Sequence, residues 1–356
     1  MFRRSSKLVS NTISTFLYPN IGIPIKIVVR PKSEISAYVL ADSVANDDRF
    51  TTFKLKYPRF IHGELMTHRA LSRNAASSRA IPIEKMIDYI MRFPAMPSHW
   101  GKNQKGMQAE MEHNENIMET GGSFPEFVTR EDYWLRARNA AVHHAKKFSA
   151  AGYHKQVVNR ILEPYQTMDV VCSGTHFDNF FWLRCHKDAQ PEIKILADAM
   201  FDALAKSTPK SLSAGEYHLP YVTDEVMEEC NKRALTDNVN PLYLALRVSA
   251  SCCAQVSYRL NDTSIDKAIN IYNRLVESEP MHASPFEHQA RPITQEDIDD
   301  FEDFRNFGIK PLTPLAITHV DQNNRYWSGN IRGFIQHRHE IPNNTKENLS
   351  RIPAEL

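Results

Sequence analysis

Between Thr67 and Arg79 the sequence reads THRALSRNAASSR, placing His68, Arg69, Ser72, Arg73, Asn74, Ser77, Ser78 and Arg79 together with no carboxylate among them. Three arginines so closely spaced need an acceptor partner. Guanidinium forks match phosphate oxygens, and hydroxyls or free backbone N–H groups complete such a cradle. These residue types point to a small phosphate-bearing ligand such as a nucleotide. A solvated helix end with scattered arginines is the alternative that the cluster alone leaves open. The other chemistry-bearing side chains are less organised. His143 and His144, or His176 and His186, do not combine i, i+4 helical spacing with a third ligand, so no metal site is expected. Cys172, Cys185, Cys230, Cys252 and Cys253 form an odd set without a C-x-x-C pair, which fits buried thiols in a reducing compartment.

The elements that must hold the cluster can be read on both sides of it. "IPIKIVVR" (23–30) and "RFTTFKLKY" (49–57) alternate and predict strands, "SAYVLADSV" (36–44) is an ambiguous apolar stretch, and "PRFIHGELMTHRALSR" (58–73) predicts one helix with Ile61, Leu65 and His68 on a shared face. A polar loop centred on 94–108 follows, and its "HWGKNQKGMQ" segment reads either as a substrate lid or as an inert surface loop. Helices are expected over 131–148, 153–163 and 190–206, a connector over 211–223, and helices again over 240–259 and 264–277.

The chain has 356 residues with 42% hydrophobic and 24% charged content, enough for a large packed core. A net charge of +1 argues against coating nucleic acid through bulk charge. No apolar run reaches the roughly 18–20 residues that span a bilayer, and with the cysteine pattern a cytoplasmic location is expected, the host cytoplasm if the chain is viral. The acid-free "MFRRSSKLVSNTISTF" start reads as a flexible arm, with an organelle-targeting segment as the alternative.

"WSGNIRGFIQHRHEIPNN" runs as an apolar helical stretch into Gln336-His337-Arg338, much as "FIHGELMTHRALSRNA" runs into Thr67-His68-Arg69. The likeness suggests a diverged internal duplication of about a hundred residues. The expected organisation is an arm (1–22), a first part carrying the nucleotide signature (23–210), a connector (211–239), a second, partial copy (240–342) and a tail (343–356).

The cluster resembles the signature of the flavin-dependent thymidylate synthases, R-H-R-x-x-S-x-N-E-x-S-x-R-Y. His68, Arg69, Ser72, Asn74, Ser77 and Arg79 match it, while Thr67, Ala75 and Ala80 stand for Arg, Glu and Tyr. "NRILEPY" (159–165) is similar to the segment whose arginine binds the nucleotide, here Arg160. "NFFWLRCHKDAQPEI" (179–193) resembles N-F-L-x-L-R-x-x-x-x-A-Q-x-E-I, with Asn179 at a flavin contact and Arg184 at the nucleotide site. "CAQVSYR" (253–259) and "HASPFEHQA" (282–290) resemble A-R-V-S and H-x-[ST]-P-F-E-H, blocks that come first in the family and last here; the duplication accounts for that order.

The resemblance implies an α+β fold with a sheet flanked by helices. It implies methylation of C5 of dUMP with FAD, NADPH and methylenetetrahydrofolate, without a cysteine nucleophile. Arg79 and Arg184 would be catalytic, and Arg79, Ser77, Ser78, Arg160 and Arg184 would bind the nucleotide. His68, Arg69, Asn179, Ser257, Ser284, Glu287 and His288 would contact the flavin. Family members are homotetramers with active sites between subunits, so a homo-oligomer is expected, for example a dimer. Departures at Thr67 and Ala75 keep other outcomes open: another pyrimidine, hydroxymethylation, or a non-catalytic nucleotide-binding assembly subunit.

Overall fold

The computed structural model describes residues 33–106, 108–120, 125–257, 262–309, 315–342 and 344–345, together with short backbone strands at Thr15–Phe16 and Ile25–Lys26. The flexible arm, most of the strand expected over 23–30, and nearly all of the tail lie outside the described residues.

A five-stranded sheet organises the chain. Strand β1 (Ser36–Ala45) and β2 (Asp48–Pro58) form a long hairpin through Asn46 and Asp47. Both turn residues have positive φ, 49° and 64°, which Asn and Asp tolerate and a two-residue hairpin turn requires. Pairing with β2 decides the ambiguous 36–44 stretch as strand. The sheet order is β3 (Ser72–Ala75), β4 (Thr167–Gly174), β2, β1, β5 (Lys210–Ser211), antiparallel except for the last pair.

The sheet is buried on both faces. On one face Phe53, Leu55, Tyr57, Met168, Val170 and Cys172 pack under α1 (His62–Met66), α5 (Asp178–Arg184) and α6 (Pro191–Ala205). A satellite layer is formed by α2 (Ile83–Arg92), α3 (Arg130–Ala150) and α4 (Lys155–Leu162), meeting through Ile90, Val142, Val158 and Leu162. The other face carries Phe50, Thr52, Val171 and Ser173, and residues beyond 211 cover it. Val171 meets Cys253 and Val256, and Phe50 meets Ile331 and Phe334.

That second part contains α7 (Asp224–Asp237), α8 (Pro241–Ala254) and α9 (Ile265–Val276) around Leu244, Val248 and Ala268. It continues with β6 (Ala290–Pro292), α10 (Gln295–Phe307), β7 (His319–Val320), β8 (Tyr326–Ser328), β9 (Ile331–Arg332), β10 (Phe334–Gln336) and α11 (His337–Glu340). The class is α+β, with a mixed sheet flanked by helices.

Two expectations are corrected. The helix over 58–73 stops at Met66, after a 3-10 turn at Arg59–Ile61, and Ser72–Ala75 becomes an edge strand on β4. The Arg73 guanidinium donates to Leu65 O (2.9 Å) and His68 O (2.6 Å), carbonyls that a continuing helix would have used itself. The apolar stretch before Gln336 is strands, not helix. Gly329 and Gly333 sit at φ 59° and 71°, breaking any helical run, and the helix is the four-residue α11 alone. The strand β4 and helices α2, α5, α7 and α10 were not anticipated.

The cysteines are thiols, and Cys172, Cys230, Cys252 and Cys253 are buried. Burial pushes Cys172 and Cys252 up to about 12 and Cys185 up to about 11. No helix among the described residues is long and apolar enough to cross a membrane.

Candidate functional site

The site grows from one end of the sheet, where Thr52, Ser173 and Ser72 lie across from each other on β2, β4 and β3. Just before β3 the chain passes the Thr67–Ala70 turn. Just after β4 it passes Thr175–Phe177 and enters α5. The two segments meet at once. Arg184 Nε donates to His68 Nε2 at 2.8 Å, linking residues 116 positions apart, and Arg184 also donates to Thr67 Oγ1 at 3.3 Å. The His68 ring packs edge-on against Phe180, with centroids 4.9 Å apart. Burial, with the positive charges of Arg184 and Arg73, pushes His68 down to about 4. An Arg N–H can only donate, so His68 Nε2 accepts and the ring's proton sits on Nδ1.

The three arginines of the cluster have different fates. Arg73 closes α1, as above. Arg69 and Arg79 are exposed, and their side chains have no partner among the described residues. They remain available to a ligand. Ser72 Oγ donates to Asn330 Oδ1 (3.1 Å), and buried Ser78 donates to Glu163 Oε1 (2.9 Å). Ser77 Oγ accepts from Arg79 N–H at 3.3 Å.

Glu163 gathers a second group, since its Oε1 also meets Arg160 and Arg59, both at 3.1 Å. Arg160 keeps 57% of its side chain exposed, so the ion pair leaves much of its guanidinium open. The turn bearing Ser78 and Arg79 is held by Asn159, fully buried, which donates to Ser78 O (2.7 Å) and Ile81 O (2.9 Å). Asn159 stands beside Arg160 in the NRILEPY block, and only the register of that block signals it. Among the described residues no hydrogen bond joins the Arg184–His68 pair to the Arg160–Glu163 pair.

The second part reaches the same sheet end. Ser284 Oγ donates to Asn74 Oδ1 (3.2 Å), and Asn74 Nδ2 donates to Cys253 O (2.5 Å). Blocks that lie 210 residues apart are thereby joined. Glu287 is paired with Arg338 at 2.5 Å. His288 is fully buried, with Nδ1 on Ser173 Oγ (2.8 Å), and a polar chain continues through Thr52 (2.7 Å) to His218 Nε2 (2.8 Å) and from His218 Nδ1 to Ser43 (2.9 Å). Burial pushes both histidines down to about 3. Asn179 is exposed on the first turn of α5. Ser257 ends a 3-10 turn, and its side chain lies outside the described residues.

A cavity of about 960 Å³ opens beside Arg184, lined by Phe60, Glu64, His99, Trp134, Lys187 and Lys194. His99, Gly101 and Gln108 of the 94–108 loop border it, so the loop stands over Arg184; Met107 lies outside the described residues. The loop is tied down where Ser98 N–H donates to Glu192, a carboxylate only 2% exposed at the start of α6. Glu192 falls within the AQPEI block and had been given no role.

The departures from the signature also have physical places. Thr67 receives Arg184, where a second guanidinium would be repelled. Ala75 packs against the main core, where a glutamate would bury an unpaired charge. Ala80 is exposed.

Residues 49–210, which contain Thr67–Arg79, Arg160 and Arg184, match the family model described as thymidylate synthase complementing protein. Over that segment, which is less than half of its length, the chain is similar to that family. It is the family of the flavin-dependent thymidylate synthases. The match ends before the second part, so Ser257, Ser284, Glu287 and His288 lie outside it. No curated protein matches the chain. Among solved structures, a UMP/dUMP methylase, PolB, from Streptomyces cacaoi bound with 5-Br UMP is 18% identical, with a TM-score of 0.38, over 50% of this chain and 92% of that one. Thymidylate synthase X from Helicobacter pylori with FAD and dUMP is 16% identical, with a TM-score of 0.29, over 44% of this chain and 67% of that one.

Proposed function

We propose that the protein is an FAD-dependent methyltransferase that converts dUMP to dTMP. The observation that carries this reading is the Arg184–His68 hydrogen bond. It brings two separate blocks of the family match together next to Arg69, whose side chain, like that of Arg79, has no partner among the described residues. The donor set suits a phosphate-bearing nucleotide and an anionic cofactor, because Arg69 and Arg79 offer guanidinium forks that no carboxylate among the described residues pairs.

In this reading Arg79 and Arg160 hold the nucleotide phosphate, with Ser77 and the Asn159-braced turn setting the position of Arg79. Arg184 polarises a uracil carbonyl. Its guanidinium is oriented by neutral His68 and by Thr67, so little reorganisation is needed when charge develops on the pyrimidine. Arg69 and Asn179 face the cofactor. Ser257, Ser284, Glu287 and His288 complete that side, and Ser284 also fixes Asn74. Reduced FAD supplies hydride when bound, NADPH reduces it, and methylenetetrahydrofolate supplies the carbon. No thiol takes part, in keeping with thiols that burial keeps protonated. The second part acts as a diverged, partial copy, and the active unit is a homo-oligomer in the cytoplasm; a strict monomer by mass in solution would count against the assembly.

Release of tritium from C5-labelled dUMP with FAD, NADPH and methylenetetrahydrofolate is the test. Thr67 and Ala75 favour one second reading: with bound FAD but no tritium release, another pyrimidine is the substrate, and tritium release without dTMP marks a hydroxymethyl product. A protein that binds nucleotide but no FAD would be a non-catalytic assembly subunit.

A further inference from the structure

The β8–β9 hairpin has no part in the family signature, yet it carries a fixed aromatic group at the edge of the site. Trp327 Nε1 donates to Asp321 Oδ2 at 3.1 Å, which sets the rotation of the indole. The same carboxylate is anchored by Arg325 Nε at 2.9 Å, and the other carboxylate oxygen accepts the Asn323 and Arg325 backbone N–H groups. The His319 ring stacks on Trp327 with centroids 5.7 Å apart and planes 13° from parallel, and it is exposed. His176 also approaches the indole, at 6.3 Å, as does the Arg332 guanidinium at 6.0 Å. Arg332 is itself locked by Asp48 (2.5 Å) and by its N–H to Thr175 Oγ1 (3.0 Å). The result is a rigid platform whose rings are already ordered, so a ligand stacking there freezes little extra motion.

The platform's place gives it a purpose. At the hairpin tip, Asn330 accepts from Ser72 (3.1 Å), three residues after Arg69. At its base, Arg332 touches Thr175 and His176, just before the helix that carries Asn179. The hairpin therefore bridges the two segments whose exposed polar groups, Arg69 and Asn179, face the cofactor in the reading above.

We propose that Trp327, with His319, is a stacking wall for a flat heteroaromatic ring of FAD. The inference rests on the flavin reading of the site. Stacking on an aromatic side chain is tolerant of ring identity and is lost on truncation to alanine, at roughly tenfold to a hundredfold in affinity. The shared chemistry is a planar ring, and FAD carries two, isoalloxazine and adenine.

Full-length wild type, Trp327→Ala, Trp327→Phe and His319→Ala are titrated with FAD, FMN and dUMP, following flavin fluorescence for the first two and heat for the third. Trp327→Ala is expected to bind FAD roughly tenfold to a hundredfold more weakly. Trp327→Phe, which keeps a ring but loses the Asp321 contact, should stay within about threefold of wild type, and dUMP affinity should not change. An equal loss for FMN assigns the isoalloxazine, and an unaffected FMN assigns the adenine. If Trp327→Ala does not fold, exposed His319→Ala carries the test with a smaller loss in the same direction. Unchanged FAD affinity in the alanine variants overturns the proposal, as does Trp327→Phe binding as poorly as Trp327→Ala, which marks a structural role. Wild type that binds no FAD overturns the flavin reading, and this inference with it; wild type that binds FAD while the variants behave alike overturns this inference alone.

Discussion

The chain carries two histidine–arginine pairs, and the structure treats them in opposite ways. His337 and Arg338 are closed. His337 lies between Tyr272 OH (2.9 Å) and Glu340 Oε2 (3.0 Å), and Arg338 is bound to Glu287. Glu340 is held in turn by Arg291 and Tyr217. His68 and Arg69 are open. His68 faces a cation instead of a carboxylate, and Arg69 has no described partner. The same two residue types thus serve packing where carboxylates satisfy them and remain ready for a ligand where none do. Unpaired positive charge, rather than the dipeptide, marks the candidate site.

Acid should act first, and with the largest effect, on the two histidines buried against the sheet. His218 and His288 are fully buried and depressed to about 3, so between the unfolded value near 6.5 and about 3 the unfolded chain binds more protons. Stability is then full above pH 6.5 and falls as pH drops through that window, by about 1.4 kcal/mol per pH unit for each histidine. Urea midpoints across the window read the slope, and His218→Gln should flatten it; a wild-type midpoint that does not move with pH refutes the account. Next in size, His337→Ala leaves Tyr272 OH without its partner and takes one of several from Glu340, and should cost about 1–3 kcal/mol in urea unfolding, with nucleotide affinity unchanged.

The open pair should show the reverse. Arg184→Ala removes charged hydrogen bonds to the nucleotide and should weaken dUMP by roughly 10–100-fold by calorimetry, with little change in melting temperature. Arg69→Ala, at an exposed position, should alter stability by no more than about 0.5 kcal/mol while weakening FAD. A large stability loss from Arg69→Ala would erase the distinction between the pairs. The smallest effect is expected at Glu163→Gln. It frees the largely exposed Arg160 at about 0.5 kcal/mol of stability and should tighten dUMP a few-fold, because a competing carboxylate is gone.

Much of the first part was legible because its signals are local. Alternation marked β2, helices were expected where α3, α4 and α6 lie, and the spacing of Thr67–Arg79 marked an anion-binding cluster. The central strand β4 was missed because Thr167–Gly174 alternates only as far as Val170 and is buried on both faces beyond it. The helical reading of the stretch before Gln336 failed because a short apolar run fits strand and helix equally until the glycines at 329 and 333 fix the turns.

The sequence by itself determined which residues could bind an anion, which family blocks they compose, and that a core of α+β type would form. Only the tertiary structure decided how they are used. It spent Arg73 on the end of α1 and Ser78 on Glu163, left Arg69 and Arg79 without partners among the described residues, and laid the second part across the far face of the sheet so that Ser284 meets Asn74. The reason is physical. Whether a charge is paired depends on what the fold brings within about 4 Å of it, and those neighbours lie anywhere from a few to hundreds of residues away along the chain.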